Sequence, residues 1–169
     1  IVIPARLNSS RLANKVILDL KGKPVIQRVY EKCIKAKNID AVYIATDSSK
    51  IEEICKSFTK NIIMTKDTHE SGTDRIAEAV ENINCDVIIN IQGDEPFIDI
   101  NLIEEIANAF DENTKMVSAM HKLEIVEDLK NSNVVKVTID NTSHAIYFSR
   151  SIIPYHRDNW DALLNHHII

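Results

Sequence analysis

The residues best suited to chemistry lie in one short stretch near the middle of the chain. Residues 90–96 follow the apolar run 87–89 and carry two adjacent carboxylates, Asp94 and Glu95. In a parallel α/β sheet, ligands bind beyond the carboxyl ends of the strands. A carboxylate at that edge can hold Mg²⁺ beside bound phosphates, because Mg²⁺ takes few protein oxygens and completes its coordination with phosphate and water. The alternative is a polar turn that merely ends a buried strand.

A cationic loop follows the first apolar run of the chain. Residues 6–15 contain Arg6, Arg11 and Lys15 together with serines and asparagines, and they contain no glycine. Arginine grips phosphate oxygens through paired N–H donors, and lysine acts as a compact charge. The spacing of a Walker loop and the glycine fingerprint of dinucleotide-binding folds are both missing. The loop therefore suits a phosphate group, and an ordinary solvated basic loop is the alternative.

Two further polar stretches carry more hydrogen-bonding groups than a connection requires. Residues 66–75 lead into a predicted helix, with Ser71 or Thr73 as its N-cap. A later stretch contains Arg150 and Arg157, which suit a carboxylated sugar. Functional groups concentrate on loops held by a rigid sheet, so both stretches are candidate ligand contacts. A plain capping segment and a surface loop are the respective alternatives.

Apolar segments of strand and helix length alternate between these loops. The predicted strands are 1–3, 41–46, 61–65, 86–92 and 116–120. The predicted helices with bounds are 24–37 and about 101–110. Two more are predicted between them: one after a cap at Ser48 or Ser49, with the apolar face Ile51, Ile54, Cys55 and Phe58, and one with the apolar face Ile76, Val80 and Ile83. This alternation predicts a mainly parallel sheet with helices on both faces. Two later strands, 134–139 and 145–148, are separated by a short turn and are predicted to pair antiparallel, which makes the sheet mixed.

Composition narrows the class of protein. The 169 residues suffice for one domain with a substantial core. The net charge of −5 provides no global basic field for nucleic acid or an anionic membrane. No apolar run approaches the ~20 residues that span a bilayer, and no signal peptide is recognisable. Cys33, Cys55 and Cys85 form no metal-type pair and indicate a reducing compartment, so we expect a cytoplasmic protein without nucleic-acid or membrane partners.

Six short motifs, distributed over the whole chain, occur together in one known family. They are Ile3-Pro4-Ala5-Arg6 with Arg11-Leu12 and Lys15; Gly22-Lys23-Pro24; Ala45-Thr46-Asp47; Ser71-Gly72-Thr73-Asp74-Arg75; Gln92-Gly93-Asp94-Glu95-Pro96; and Tyr147-Phe148-Ser149-Arg150 followed by Ile153-Pro154. Because the motifs occur in the order and approximate spacing of that family, the chain resembles the 3-deoxy-D-manno-octulosonate (Kdo) cytidylyltransferases, or CMP-Kdo synthetases. The related sialic acid cytidylyltransferases are similar at the start, but residues 92–96 favour the Kdo branch.

The resemblance implies a Rossmann-like, three-layer nucleotidyltransferase fold with a mainly parallel mixed sheet. It implies transfer of CMP from CTP to the anomeric hydroxyl of Kdo, with Mg²⁺ as cofactor and release of pyrophosphate, in lipopolysaccharide biosynthesis. Because the sugar hydroxyl attacks the α-phosphorus itself, no protein nucleophile is expected, and catalysis consists of positioning and electrostatic stabilisation. The full-length enzyme is expected to be a homodimer. The alternatives are a cytidylyltransferase for another acid sugar, such as sialic acid, and a nucleotide-binding module without activity.

The resemblance also implies roles for single residues. Arg6, Arg11 and Lys15 correspond to the triphosphate grip, with Lys15 nearest the charge that develops on the α-phosphate, and Asp94 corresponds to the Mg²⁺ ligand. The catalytic set is Lys15, Asp94 and Arg11. The cytosine and ribose contacts are Ser71, Gly72, Thr73 and Arg75. The sugar contacts are Gln92, Arg150, Tyr155 and His167. Glu95 is expected only to shape the turn.

Two departures from the family pattern carry expectations of their own. Residues 11–15 read Arg-Leu-Ala-Asn-Lys where the family has Arg-Leu-Pro-Gly-Lys. Asn14 then takes the place of a glycine, and asparagine tolerates left-handed backbone angles better than most residues. The chain stops at residues 167–169, inside a family motif. We therefore expect 1–169 to be one cytidylyltransferase domain lacking a C-terminal part, with weakened CTP binding, activity and dimerisation.

Overall fold

A computed structural model describes residues 1–7, 14–153, 155 and 157. The chain divides into two compact units, Ile1–Ser118 and a second that begins at Ala119. The prediction of one cytidylyltransferase domain over 1–169 stays a prediction. Within the described residues, every helix is too short or too polar to cross a bilayer.

A parallel sheet forms the centre of the first unit. Its strands are β1 (Val2–Ala5), β2 (Tyr43–Thr46) and β3 (Ile62–Met64). They lie in the order β1-β2-β3 and both pairs are parallel. The predicted parallel sheet is thereby confirmed.

The other side of β1 pairs with a shorter segment. Val2 and Asn90 form a parallel bridge. In this bridge the Val2 N–H donates to the Ile89 carbonyl at 2.9 Å, and the Ile91 N–H donates to the Val2 carbonyl at 3.3 Å. The predicted strand 86–92 is reduced to this bridge, which leads directly into the turn that carries Asp94.

Four helices of the first unit confirm the periodicity-based predictions, and α1 and α4 are somewhat shorter than predicted. They are α1 (Val25–Cys33), α2 (Ser49–Cys55), α3 (Gly72–Val80) and α4 (Ile100–Asn108). Ser48 is the N-cap of α2, and its hydroxyl accepts from the Ile51 N–H at 3.4 Å. Asp99 caps α4 by accepting from the Asn101 N–H at 2.9 Å. Pro24 is the N-cap of α1, so the helix begins one residue later than the predicted range 24–37.

The sheet is covered by helices on both faces because successive side chains of a strand point to opposite sides. On one face, Val2 and Ala45 pack with Ile76 and Ala79 of α3. The opposite face contributes to the larger core, which also includes residues of α1, α2 and α4. Its fully buried aliphatic side chains are Ile3, Ile26, Val29, Ile44, Ile51 and Ile103. This is the predicted arrangement of three layers.

The second unit contains a short helix and a hairpin. They are α5 (Val126–Lys130), β4 (Lys136–Ile139) and β5 (Ala145–Ser149). The two strands are antiparallel, as predicted, and they form a two-stranded sheet of their own. In the turn between them, the Asp140 carboxylate accepts from the N–H groups of Thr142 and His144.

The strand predicted at 116–120 does not form. These residues have no strand pairing, and Met116 is 85% exposed. The division between the two units falls inside the segment, after Ser118. An apolar run becomes a strand only where a neighbour supplies ladder hydrogen bonds, and none of the described residues does so here.

Candidate active site

Three segments meet beyond the carboxyl end of β1: the residues that follow β1, the N-terminus of α3 and the turn after Ile91. A Cβ atom on Gly93 would lie 3.0 Å from the Pro4 carbonyl oxygen. A Cβ atom on Gly72 would lie 3.1 Å from Pro4 Cγ and 3.9 Å from Gln92 Nε2. Gly93 thus lies against the backbone of Pro4 and Gly72 against its ring, so both positions leave little room for a side chain. Parallel α/β sheets bind their ligands at this edge.

Lys15 and Asp94 form an ion pair in this crevice. Lys15 Nζ donates to Asp94 Oδ2 at 2.8 Å, and the two side chains are 43% and 40% exposed. Lys15 begins a short 3₁₀ turn whose buried residue, Val16, lies 3.6 Å from the place of a Cβ on Gly93. The turn thus brings the ammonium group to the carboxylate although 79 positions separate the two residues.

Asn14 closes the base of the cationic loop. Its N–H donates to the Leu7 carbonyl at 3.0 Å. Its backbone angles are φ 59° and ψ 19°, which is the left-handed conformation. The expectation that Asn14 takes the place of a glycine is confirmed. Arg11, a predicted catalytic residue, lies outside the described residues.

Arg6 connects two of the converging segments. Its Nη1 donates to the Glu70 carbonyl at 3.5 Å, and the side chain is exposed. Glu70 immediately precedes Ser71, where α3 begins. The contact places Arg6, a predicted phosphate ligand, beside the segment predicted to bind the nucleoside.

Ser71 is the N-cap of α3, one of the two predicted alternatives. It forms a capping box with Asp74, in which the Ser71 hydroxyl accepts from the Asp74 N–H at 3.1 Å and donates to its carboxylate at 2.6 Å. The hydroxyl is therefore engaged with the helix. The first N–H groups of any helix have no intrahelical acceptor, and Gly72 and Thr73 carry such groups here. Those N–H groups and the exposed Thr73 side chain are the donors that α3 offers to the crevice.

Arg75 is buried rather than exposed to the crevice. Its side chain is 3% exposed and forms an ion pair with Asp47, with Nη2 at 2.7 Å from the carboxylate. Nη1 donates to the Thr65 hydroxyl at 2.5 Å and to the Lys66 carbonyl at 3.4 Å. Arg75 therefore connects α3 to the residues that follow β2 and β3. A direct contact with a nucleotide stays a prediction.

Glu78 holds the same polar segment one helical turn later. Its carboxylate accepts from the Lys66 N–H at 3.0 Å and pairs with His69 Nε2. The His69 imidazole, followed by the Lys66 N–H, keeps the pKa of Glu78 below its usual range. The sequence reasoning assigned no site role to His69 or Glu78, and it placed Asp47 in a family motif without a role. The spacing of Arg75 and Glu78, which puts both on one side of α3, is the signal that could have indicated a shared role.

The predicted sugar contacts are distributed between the two units. Gln92 is exposed next to the crevice, and its amide donates to the Asn90 side chain at 3.1 Å. Arg150 and Tyr155 belong to the second unit. Arg150 Nη1 donates to the Ser132 carbonyl at 3.0 Å, and Tyr155 is 76% exposed. His167 lies outside the described residues.

Asp94 is a single half-exposed carboxylate. Among the described residues, no group of three or more histidine, cysteine, aspartate and glutamate side chains is placed to hold a metal ion. The donor set at Asp94 fits an ion that takes most of its oxygens from phosphate and water, as Mg²⁺ does. The expected Mg²⁺ therefore fits Asp94 in combination with a phosphate ligand.

Comparison with known proteins identifies relatives over nearly the whole chain. A family model described as cytidylyltransferase matches residues 1–168. The chain is 51% identical over 162 residues to the 3-deoxy-manno-octulosonate cytidylyltransferase of Francisella tularensis subsp. tularensis, covering 93% of this chain and 64% of that protein. It is 42% identical over 164 residues to the enzyme of the same name from Trichlorobacter lovleyi, covering 96% of this chain and 65% of that protein.

Solved structures agree with these relatives. A CMP:2-keto-3-deoxy-manno-octonic acid synthetase complexed with CTP matches with a TM-score of 0.81 and 37% identity, covering 93% of this chain and 66% of that one. A nucleotidyl transferase from Methanothermobacter thermautotroptrophicus matches with a TM-score of 0.58 and 20% identity, covering 65% of this chain and 56% of that one. The second match shows a shared fold only.

The fold and the crevice together define an α/β nucleotidyltransferase, which confirms the predicted fold class. Within that class the chain belongs to the cytidylyltransferase family. The resemblance to the CMP-Kdo synthetases is confirmed by relatives that carry that name. The chain spans about 64% of the length of the curated relatives that it matches first.

Proposed function

We propose that this chain carries the nucleotide site of an enzyme that transfers CMP from CTP to the anomeric hydroxyl of Kdo and releases pyrophosphate. The observation that carries the proposal is the Lys15–Asp94 pair, in which Nζ and Oδ2 are 2.8 Å apart beyond the carboxyl end of β1. A triphosphate with its metal ion needs a cation and a carboxylate side by side. The names of the relatives and the CTP complex of a similar structure support the choice of substrates.

Lys15 acts on the phosphates in this proposal. When CTP binds, its ammonium group exchanges the Asp94 carboxylate for a phosphate oxygen. Its charge then offsets the negative charge that develops at the α-phosphate and on the departing pyrophosphate, which is the kind of stabilisation that contributes most to such reactions. Arg6 and Arg11 hold the rest of the triphosphate through charge-assisted hydrogen bonds.

Asp94, released from Lys15, is the residue that would hold Mg²⁺. The bound ion supplies neutralisation of phosphate charge. Gln92 and Gly93 fix the turn that presents Asp94, since the Glu95 N–H donates to the Gln92 carbonyl at 3.2 Å. Glu95 contributes its backbone to this turn, and we assign no metal contact to it.

The nucleoside lies against the N-terminus of α3. The N–H groups of Gly72 and Thr73 provide donors to the acceptors of cytosine and ribose, while Ser71 keeps the first turn of the helix in place. Arg75 and Glu78 hold residues 65–69 in place. Arg75 donates to the Thr65 hydroxyl, and Glu78 pairs with the Lys66 N–H and with His69. Nucleoside recognition in this proposal depends on backbone groups that internal ion pairs keep in position.

The residues that we propose as contacts of the acid sugar, from the family resemblance, are Gln92, Arg150, Tyr155 and His167, with Arg150 taking the carboxylate. Its anomeric hydroxyl attacks the α-phosphorus directly, so the protein contributes no covalent intermediate. We further propose that the enzyme works as a homodimer in the cytoplasm. Free thiols at Cys33, Cys55 and Cys85 are consistent with a reducing compartment.

Pyrophosphate release tests the proposal. The protein should release pyrophosphate only when CTP, Kdo and Mg²⁺ are present together, and omission of any one should abolish the signal. Release with sialic acid in place of Kdo would identify the other acid-sugar branch. A rise in melting temperature with CTP and Mg²⁺, without turnover of either sugar, would instead identify a nucleotide-binding module.

A further inference from the structure

Lys136 is a buried cation in the second unit. It begins β4 and is 4% exposed. Its Nζ donates to three carbonyl oxygens, those of Asn131, Val134 and Arg150, each at 2.9 Å. These acceptors use the full donor capacity of an ammonium group. The charge is thus stabilised by backbone carbonyls that converge on one point.

The three carbonyls come from two separate segments. Asn131 and Val134 bound the loop before β4, whereas Arg150 directly follows β5. Lys136 lies opposite Ser149 in the antiparallel register, at the open end of the hairpin. The Arg150 side chain makes a second contact with the same loop, because its Nη1 donates to the Ser132 carbonyl at 3.0 Å. Backbone and guanidinium of Arg150 are therefore both held against residues 131–134.

A buried ammonium group fills space at a higher free-energy cost than an apolar side chain does. Burying a charge carries a large desolvation cost, and replacing buried charged groups with apolar side chains of similar size is often neutral or stabilising. An apolar residue at position 136 could fill the same volume, but it could not join three carbonyls from two segments. What Lys136 adds beyond packing is a fixed position for the backbone of Arg150. The guanidinium itself is exposed and retains donors beyond the one used by Ser132.

We propose that Lys136 is a positioning residue for acid-sugar recognition: it holds Arg150 at the end of the hairpin so that the guanidinium meets the sugar carboxylate. This inference rests on the proposed function, since it takes Arg150 as the carboxylate contact. Lys136 touches no substrate and acts through Arg150. Bidentate recognition of a carboxylate depends strongly on geometry, so a displaced Arg150 loses sugar affinity while CTP binding is retained.

Steady-state kinetics of the Lys136→Met variant test this inference. Methionine keeps the length of the side chain and removes every donor. The KM for Kdo should rise about tenfold or more, and the KM for CTP should change by less than about twofold. Lys136→Arg keeps the charge and several donors and should give a smaller rise, again confined to Kdo. If Lys136→Met does not fold, Lys136→Arg supplies the decisive measurement.

Thr142→Ala is the matched control, because it weakens the same hairpin at its other end. The Thr142 hydroxyl donates to the Asp140 carboxylate at 2.7 Å inside the turn. Its loss should lower the melting temperature and leave the KM for Kdo unchanged. The inference is overturned if Thr142→Ala and Lys136→Met lower the stability equally and raise the KM for Kdo equally. Lys136 would then merely stabilise the hairpin.

A double-mutant cycle tests whether Lys136 acts through Arg150. Arg150→Ala should raise the KM for Kdo, and adding Lys136→Met to it should raise the KM no further, since both changes remove one interaction. Additive effects would contradict the inference. An unmodified protein that forms no CMP-Kdo would refute the proposed function and this inference with it. An active protein in which Lys136→Met and Lys136→Arg keep the normal KM for Kdo would refute the inference alone.

Discussion

Lys15 and Asp94 compensate each other's charge across the crevice while both remain substantially exposed, at 43% and 40%. An ion pair with that exposure contributes little to folding, because water screens it and ordering two side chains costs entropy. The two residues can therefore be changed with little effect on stability. Their substitution separates chemistry from folding more cleanly than any change in the core.

Asp94→Asn removes the charge and keeps the shape of the side chain. If Asp94 holds Mg²⁺, turnover should fall about a hundredfold or more, which corresponds to at least ~2.7 kcal/mol of transition-state stabilisation. The melting temperature without ligand should remain close to that of the unmodified protein. Glu95→Gln is the matched control, since it neutralises the adjacent exposed carboxylate, and it should retain near-normal turnover. Equal effects of the two changes in the pyrophosphate assay would refute the assignment of Asp94.

Lys15→Met removes the ammonium group that faces Asp94. The rate constant kcat should fall about a hundredfold, because the lost charge acts on the developing negative charge, and the KM for CTP should rise less. Lys50→Met, at an exposed position of α2, should leave both constants unchanged. A Lys15→Met protein with normal kcat and a raised KM would show that Lys15 serves binding alone.

At the scale of elements, α3 is the part that orders the crevice. Its cap at Ser71 faces the ligand side, and Arg75 and Glu78 fasten residues 65–69 to it. Burial of Arg75 suggests that the helix, the end of β2 and the end of β3 form one rigid support. The backbone N–H groups of Gly72 and Thr73 can be positioned accurately for a ligand only if this support does not move.

Arg75→Met should weaken that support. It leaves Asp47, whose side chain is 19% exposed, without its partner. The expected loss is about 2–3 kcal/mol of unfolding free energy, somewhat below a fully buried pair because Asp47 still reaches water. The KM for CTP should rise as well. Lys56→Met breaks the exposed Glu52–Lys56 pair of α2 and should cost at most about 0.5 kcal/mol in denaturant unfolding. Comparable losses from both variants would contradict the role of Arg75.

Helices and loops of this fold follow from local sequence more closely than its strands do. The periodicity of α1 to α4 is visible within each segment, because a helix satisfies its own backbone. Residues 116–120 have the apolar pattern of a strand and form none, since strand formation depends on a neighbour distant in sequence. The helix α5 was not predicted, because five residues show too little of a helical period.

The candidate site shows the same division. That Lys15, Gly72 and Asp94 would converge follows from one rule, the placement of ligands beyond the strand ends of a parallel sheet. That Arg75 turns inward to Asp47 could not be predicted, because 28 positions separate the pair. The burial of Lys136 could not be predicted either. Its acceptors are backbone carbonyls, which every residue has, so no side chain in the sequence indicates them.

At the scale of the whole molecule, two buried thiols in the core of the first unit make the stability of the fold depend on pH. Burial raises the pKa of Cys33 to about 11 and that of Cys55 to about 12. Cys85 is exposed. In the unfolded chain the two buried thiols would ionise near pH 9.0, while the folded protein keeps them protonated. Their contribution to stability is therefore complete below about pH 9 and decreases as the pH rises from there.

The melting temperature should accordingly fall between pH 8 and pH 10.5, and replacing Cys33 and Cys55 with alanine should flatten this dependence. Alkylation at pH 8 should modify Cys85 rapidly and the other two thiols only after denaturant is added, because the thiolate is the reactive form. Rapid native-state alkylation of Cys33 or Cys55, read by mass spectrometry, would contradict their burial.

Pro4 sets the point at which the sheet gives way to the turn beneath Asp94. Backbone groups of a parallel strand face one neighbour at every second residue, so Pro4 follows Val2 on the side of β1 that pairs with residues 89–91. Proline has no N–H, and the carbonyl of Ile91 thus receives no ladder hydrogen bond from it. On this side of β1 the pairing ends at Val2, and the chain after Ile91 bends over Pro4, where only a glycine at position 93 fits closely. The missing N–H of Pro4 therefore ends the ladder next to the turn that carries Asp94.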